Sequence, residues 1–483
     1  MKVDYDKFPD IPPGYSTNFN KARNVYQVYR DYREFDAVKG KNVTKRETIG
    51  QIKDGKFSFS KLYLARQENN RLSQQIQVQT EQTARTAQAV KEKIDKAVKE
   101  TKLDQRQSAK VIYPIEPIVL GALISALSGE TDCAAITQLI NDKRSFFRRH
   151  YPSMPKEPVT HDTVYRALLK VKAEQFNDFY RKIISSLVTQ TPDRVIAADG
   201  QACRGTGQAA LDAESVRRPY MLMNMYDANN RVCLSQSLIA QKTNEITVAP
   251  QMLGNLEIKD CIVTADAMNC QWDFVERILD RGADYCLALK ANQDKSAKEV
   301  YSLFATTHED RIEEYVEECD LNHDRIESRA ISVIAGRLLS EPIRCKWKGL
   351  ETGCVVRVRS LNIKKTTGLK TADDRYYICS LPPDPRSACR IGEIIRARCS
   401  IENRLHWVLD VHFDQDRMQA FDPDDISNRV ALNKLALAML ENYRYWHWTR
   451  GKSQKVMGLT AAMRHCRNFD NALQCIACSQ KLI

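Results

Sequence analysis

The sequence predicts an α/β protein with a mixed central sheet, preceded by a helical domain and a small basic β element. Three observations carry this expectation. Between Arg194 and Leu289 short apolar strands alternate with helices. From Ala65 to Gln107 glycine and proline are absent. Between residues 292 and 385 strand-like runs return in IESRAISVI, CVVRVRSLNI and RYYICSL. The chain of 483 residues is long enough for about three domains. With 43% hydrophobic and 28% charged residues it has an ordinary globular composition, which excludes wholesale disorder.

Taken in order, residues 1–64 hold the basic β element. NVYQVYRDYREF from Asn24 alternates with period two, the turn-like Lys39-Gly40-Lys41 follows, and VTKRETIGQI completes a hairpin. Its cations could lie on phosphates while Tyr26, Tyr29 and Tyr32 pack on sugar or base; an exposed solubilising element is the other reading. Residues 65–110 read as a long polar helix or linker. Residues 111–190 read as a helical domain in which Lys143, Arg144, Arg148, Arg149 and His150 could grip DNA or simply be solvated. The longest apolar run, Pro117 to Leu127, is about half the roughly 20 residues a bilayer requires, so no membrane partner is expected. The 15 cysteines are scattered and no apolar leader opens the chain, as expected of a reduced, cytoplasmic protein.

Residues 191–291 carry the chemistry. RVIAAD (Arg194 to Asp199) is a strand ending in a carboxylate. Tyr220 to Tyr226 and Val232 to Ile239 are strands joined at Asn229-Asn230. Asn244 caps a helix through Leu253, CIVTA leads to Asp266, Trp272 to Arg281 is a helix, and YCLAL is a fifth strand. The order βββαβαβ is that of a ribonuclease-H-like sheet. Asp199 and Asp266 then both stand at carboxyl ends of strands, where open sheets place ligands. Convergent carboxylates are hard oxygen ligands for Mg²⁺ or Mn²⁺, and two such ions can serve a phosphodiester reaction. A third carboxylate is expected from residues 386–450: Glu402, with Arg398 and His406 four residues to either side on one helical face, placed to touch phosphate. Any one of these acids alone reads more readily as a cap or a solvated side chain; the strand order raises the three together. Asp410 is an alternative ligand, although a structural partner for a basic residue is the plainer reading.

The stretches VIAADGQACRG (195–205), KTNEIT (242–247), IVTADAMNCQ (262–271), GADYCLALKANQ (282–293), HDRIESR (323–329) and SIENRLHWVLDVHFDQD (400–416) resemble the DDE transposases of bacterial insertion sequences, in the ISAs-type branch of the IS-four-like group. The resemblance spans roughly residues 110 to 445. It implies a ribonuclease-H-like core with a β-rich insertion (292–385) before the third acid, and Asp199, Asp266 and Glu402 as the trio binding two Mg²⁺ or Mn²⁺ ions. The partners it implies are double-stranded DNA, as element ends and target, and a homodimer or higher assembly on that DNA. Gln201 stands where the family usually has lysine, Arg398-Cys399-Ser400 where it has His-Trp-Gly, and Asp324 where it has glycine. Lys290, Arg325 and Arg329 are candidates for phosphate contacts, and Asn292 could align a substrate or cap a turn, the cap being the favoured reading. A metal-dependent nuclease without strand transfer, or a DNA-binding protein that has lost catalysis, stays open beside the transposase. In the tail, 451–483, His465, Cys466, Cys475 and Cys478 include a C-x-x-C spacing that suits zinc, with buried thiols as the plainer reading.

Overall fold

The computed structural model describes the chain except for residues 1–2, 5, 37–39, 208–217, 240–244, 309–310, 322–324, 385, 452–453 and 479–483, and for the side chains of 36, 108, 318–321 and 325. Two compact units result, Met1–Thr86 and Ala87–Ile483.

The first unit is an antiparallel sheet in the order β1 (Ser16–Asn20), β2 (Val25–Asp36), β3 (Lys41–Lys53), β4 (Lys56–Phe59). The expected hairpin is β2 and β3. Its flanking strands STNFN and KFSF are too short and polar to show a period-two signal, but Asp54 (φ 50°) and Gly55 (φ 74°) form the two-residue turn that turns β3 into β4. Val28 and Ile49 are fully buried at its centre. Arg46 pairs with Asp31, Arg30 with Glu47 and Lys45 with Glu34, so much of the hairpin's positive charge is offset across the strands. The helix α1 (Lys61–Thr101) follows.

The second unit begins with α2 (Ile115–Ala126), α3 (Cys133–Asp142), α4 (Arg144–His150), α5 (His161–Val164) and α6 (Ala173–Ser185). The long apolar run is α2, buried on every side apart from Glu116, as befits the central helix of a bundle. The Asp132 side chain caps α3 by accepting from the amides of Ala134 and Ala135.

Then come β5 (Val195–Cys203), β6 (Tyr220–Asp227), β7 (Val232–Ile239), α7 (Glu245–Leu253), β8 (Ile262–Ala265), α8 (Trp272–Asp280) and β9 (Asp284–Leu289). β5 is antiparallel to β6 and parallel to β8, β6 is antiparallel to β7, and β8 is parallel to β9: the ribonuclease-H-like arrangement. Asn244 lies outside the described residues. After α9 (Asp294–Thr306) the insertion supplies β10 (Glu313–Leu321), β11 (Arg325–Ala335), α10 (Glu341–Lys346), β12 (Cys354–Lys364) and β13 (Lys370–Cys379). These strands lengthen the core sheet. β13 pairs antiparallel with β9, giving nine strands in the order β10-β11-β12-β13-β9-β8-β5-β6-β7. The pairing satisfies the backbone groups that an edge strand would leave open on β9.

The chain returns through α11 (Ser387–Ile401), a π-helical turn (Glu402–His406) and α12 (Trp407–His412), then α13 (Pro423–Thr449), α14 (Leu459–His465) and α15 (Phe469–Ala477). The edge strand β10 fastens α11 at two points. The Glu313 carboxylate accepts from the Ala388 amide and the Ser387 hydroxyl at the helix N-terminus, and Glu317 pairs with Arg396. No helix among the described residues is long and apolar enough to cross a membrane.

Candidate active site

Parallel pairing of β5 with β8 sets Ala198 opposite Ala265, so Asp199 and Asp266 are the next positions on neighbouring strands. Asp266 follows the end of β8 as expected, whereas β5 runs on to Cys203 and Asp199 lies within it, opposite Asn224 of β6, not at its carboxyl end. Glu402 arrives from the opposite direction, at the first residue of the π-helical turn. Turns of this kind widen the helix locally and re-aim the side chains that follow. Asp199, Glu402 and His406 bring ligand atoms within 4.8 Å of one another, the only such group of three among the described residues. His406 Nδ1 lies 3.4 Å from Glu402 Oε2 and 3.7 Å from Asp199 Oδ2.

The environments differ. Asp199 is largely buried, and burial, with Glu402 bonded and charged beside it, pushes its carboxyl up to about 8. Arg398 works in the opposite sense on Asp199. Glu402 is 66% exposed and faces solvent. His406 is buried, and desolvation lowers its imidazole to about 4 against the pull of Glu402, with Lys434 adding to the lowering. Asp266 is held by a turn: its Oδ1 accepts from the amides of Met268 and Asn269 and from Asn269 Nδ2, and none of these bonds uses Oδ2.

Side chains outside the expected set brace this arrangement. Asn292 donates to the Ala267 carbonyl at 2.6 Å and Gln293 to that of Cys270 at 3.0 Å, tying the segment after β9 to the Asp266 loop. Asn292 is therefore a brace between two loops and not a cap. Glu245, at the start of α7, was not singled out from the sequence although KTNEIT was. Its Oε2 lies 3.5 Å from Asn269 Nδ2, and a Cβ on Gly200 would fall 1.9 Å from its Oε1. Only glycine leaves that carboxylate room against β5, and burial, with the Asp266 charge nearby, holds its carboxyl above the usual carboxylate range. Asp410 accepts from Gln201 Nε2 at 3.3 Å, an amide where the sequence reading looked for a basic partner.

Of the remaining candidates, Arg398 has its Nε buried without a partner, and Lys290 is exposed just past the end of β9. Arg329 is paired with Glu327 at 2.6 Å, and the Arg325 side chain lies outside the described residues. In the tail, Cys466, Cys475 and Cys478 are buried, and His465 Nδ1 lies 3.0 Å from the Tyr443 hydroxyl; the four form no metal-like cluster.

A hard divalent cation fits the donor set. Asp199 and Glu402 face each other with no lysine or arginine bonded to either among the described ion pairs, the hydrogen bonds of the Asp266 turn leave its Oδ2 open, and no cysteine belongs to the group of three among the described residues.

The chain matches the Transposase DDE domain family over residues 190–439, and the DDE_Tnp_1-associated family over residues 101–184. Among curated proteins, YncI of Escherichia coli O157:H7, which carries the name of a transposase, is 27% identical over 349 residues, covering 70% of this chain and 85% of that one. The H repeat-associated protein YhhI of Escherichia coli K12, also named as a transposase, is 27% identical over 317 residues, 65% of this chain and 81% of that one. A piggyBac transposase solved as a synaptic complex with hairpin DNA aligns over 81% of each chain at 10% identity with a TM-score of 0.39, a distant likeness. With its DDE-domain match extending from ahead of β5 into α13 and enclosing all three carboxylates, the chain belongs to the DDE transposase family.

Proposed function

We propose that this protein cuts DNA at the ends of an insertion sequence and joins the freed 3′-hydroxyl to a target phosphodiester, as a member of the ISAs-type branch. The observation that carries this reading is the meeting of Asp199 and Glu402, 203 positions apart, on the strand next to the one that Asp266 follows. Asp199, Asp266 and Glu402 are the residues that would hold Mg²⁺ or Mn²⁺. The chemistry that two bound ions supply is activation of the attacking water or hydroxyl and stabilisation of the leaving oxygen. Glu402, the exposed member, marks the side from which DNA approaches. Arg398 and Lys290 offer cations to its phosphates near the carboxylates, and Arg325 and Arg329 do so from the insertion. His406 holds the two carboxylates together and does not itself reach DNA. Two element ends are processed together, so the working form is a homodimer or larger assembly on DNA.

The test is cleavage and joining of labelled DNA carrying the gene's flanking ends, with Mg²⁺ or Mn²⁺, comparing the wild type with Glu402→Gln. Cleavage that leaves a 3′-hydroxyl, followed by joining, both lost in the variant, is the expected result. Cutting without joining would make the protein a nuclease, and binding with neither step would make it a DNA-binding relic.

A further inference from the structure

Behind His406, on the side away from the carboxylates, lies a buried polar chain. Lys434, in the middle of α13, is 1% exposed and donates to Asn224 Oδ1 and, at 2.8 Å, to Gln236 Oε1. No carboxylate pairs with it among the described ion pairs. Gln236 has its direction set independently, because its Nε2 donates at 2.8 Å to the Ser427 carbonyl, which can only accept. Asn224, fully buried on β6, has one amide atom towards Lys434 and the other 3.2 Å from His406 Nε2.

The directions of these bonds follow from the donor inventory alone. The Lys434 ammonium has three N–H groups and no acceptor, so an amide can meet it only through its oxygen. Asn224 must therefore turn Oδ1 to Lys434 and Nδ2 to His406. His406 Nε2 must then accept. In a neutral imidazole the proton is left on Nδ1, the atom facing Glu402 Oε2 at 3.4 Å and Asp199 Oδ2 at 3.7 Å.

Resting on the proposed reaction for its catalytic consequence, we infer that Lys434 and Asn224 form a positioning relay that locks His406 in the Nδ1–H tautomer, so that the imidazole donates to Glu402 beside Asp199 and is not a metal ligand through Nδ1. The relay acts through His406 and touches neither DNA nor the reacting atoms. It sets a neutral donor on Glu402 where that carboxylate faces Asp199, as outer residues commonly do around metal-binding side chains.

The test has a spectroscopic arm that needs no activity. In the full chain labelled with ¹⁵N-histidine, long-range ¹H–¹⁵N spectra report which ring nitrogen carries the proton, and His406→Gln identifies the His406 signals among the 8 histidines. The wild type should show Nδ1–H. Asn224→Asp replaces the amide donor by an acceptor, so the tautomer should reverse to Nε2–H. Cleavage turnover should then fall about 10- to 100-fold while KM for DNA stays within about twofold, the scale of lost outer-layer contacts. Lys434→Met keeps the side-chain length and removes the direction-setting donor; it should yield a tautomer mixture and an intermediate turnover, and it serves where Asn224→Asp does not fold. An Nε2–H signal in the wild type, or a wild-type tautomer and turnover in Lys434→Met, would overturn the inference. A protein that cuts no DNA yet shows Nδ1–H and its reversal would sink the proposed function and leave the relay standing.

Discussion

The two sides of the site solve the same problem differently. On one side, Asp199 and Glu402 are set against each other, with a buried neutral imidazole as their shared contact. On the other, Asp266 has one of its oxygens provided for by its own loop, with three donors on Oδ1, and Asn269, Asn292 and Glu245 behind. The first side is held together against charge repulsion, whereas the second is satisfied without any cation. A divalent ion therefore relieves the first side most, and changes in shape alone disturb the second.

The largest expected effect removes a carboxylate. Glu402→Gln should lower cleavage by roughly 10³-fold or more, about 4 kcal/mol of barrier, with the circular dichroism spectrum unchanged. Retained cleavage would remove Glu402 from the site. Loosening the second side should cost less. Asn269→Ala takes away one of the three donors to Asp266 and the contact to Glu245, and turnover should fall about 10- to 100-fold. If single-turnover rates stay at the wild-type level, the loop does not depend on that brace.

The comparison also predicts a gain. Asp199→Asn, inactive, should raise the melting temperature of the metal-free protein near neutral pH by about 1–2 °C, ~1 kcal/mol, because a buried carboxyl that must take up a proton on folding is replaced by a neutral amide. Asp266→Asn should show no such rise. Calorimetry on both variants in chelator decides the matter, and equal shifts would mean the two sides are not electrostatically distinct. The smallest effect is expected from Gly200→Ala. The new methyl meets only the flexible end of Glu245, so stability should change by less than about 1 kcal/mol, and turnover should drop only a few-fold as that carboxylate is displaced. A drop as large as that of Asn269→Ala would promote Glu245 from support to ligand.

Much of the sheet was legible because its strands are buried on both faces and so stand out as short apolar runs, as in RVIAAD and CIVTA, the first holding Asp199 within a strand that runs on to Cys203 and the second followed by Asp266. The pairing of β13 with β9 was not, because register is settled by contacts between segments about 90 residues apart in sequence that no local pattern records. The same holds for the site. Glu402 could be found from the helix and motif around it, but not the π-helical turn that aims it. Lys434 sits in LNKLALAML, where a lone lysine reads as the solvated face of an amphipathic helix; only the packing of α13 against β7 puts it underground. Glu245 lies at a helix start, where an acid is normally explained by the helix dipole alone.

The clasp of β10 on α11 has a consequence for the chain as it is made. Glu402 rides on a helix whose N-terminus is gripped by Glu313 and whose body is gripped by Glu317, so its place is fixed only once the insertion strands have been synthesised and zipped onto β9. A ribosome-bound chain that already displays Asp199 and Asp266 still has no third carboxylate in position, and translation that stops before the last strand leaves an assembled half-site with nothing to complete it. The order of the elements along the chain thus works as a safety catch: the three carboxylates come together only when nearly all of their scaffold already exists.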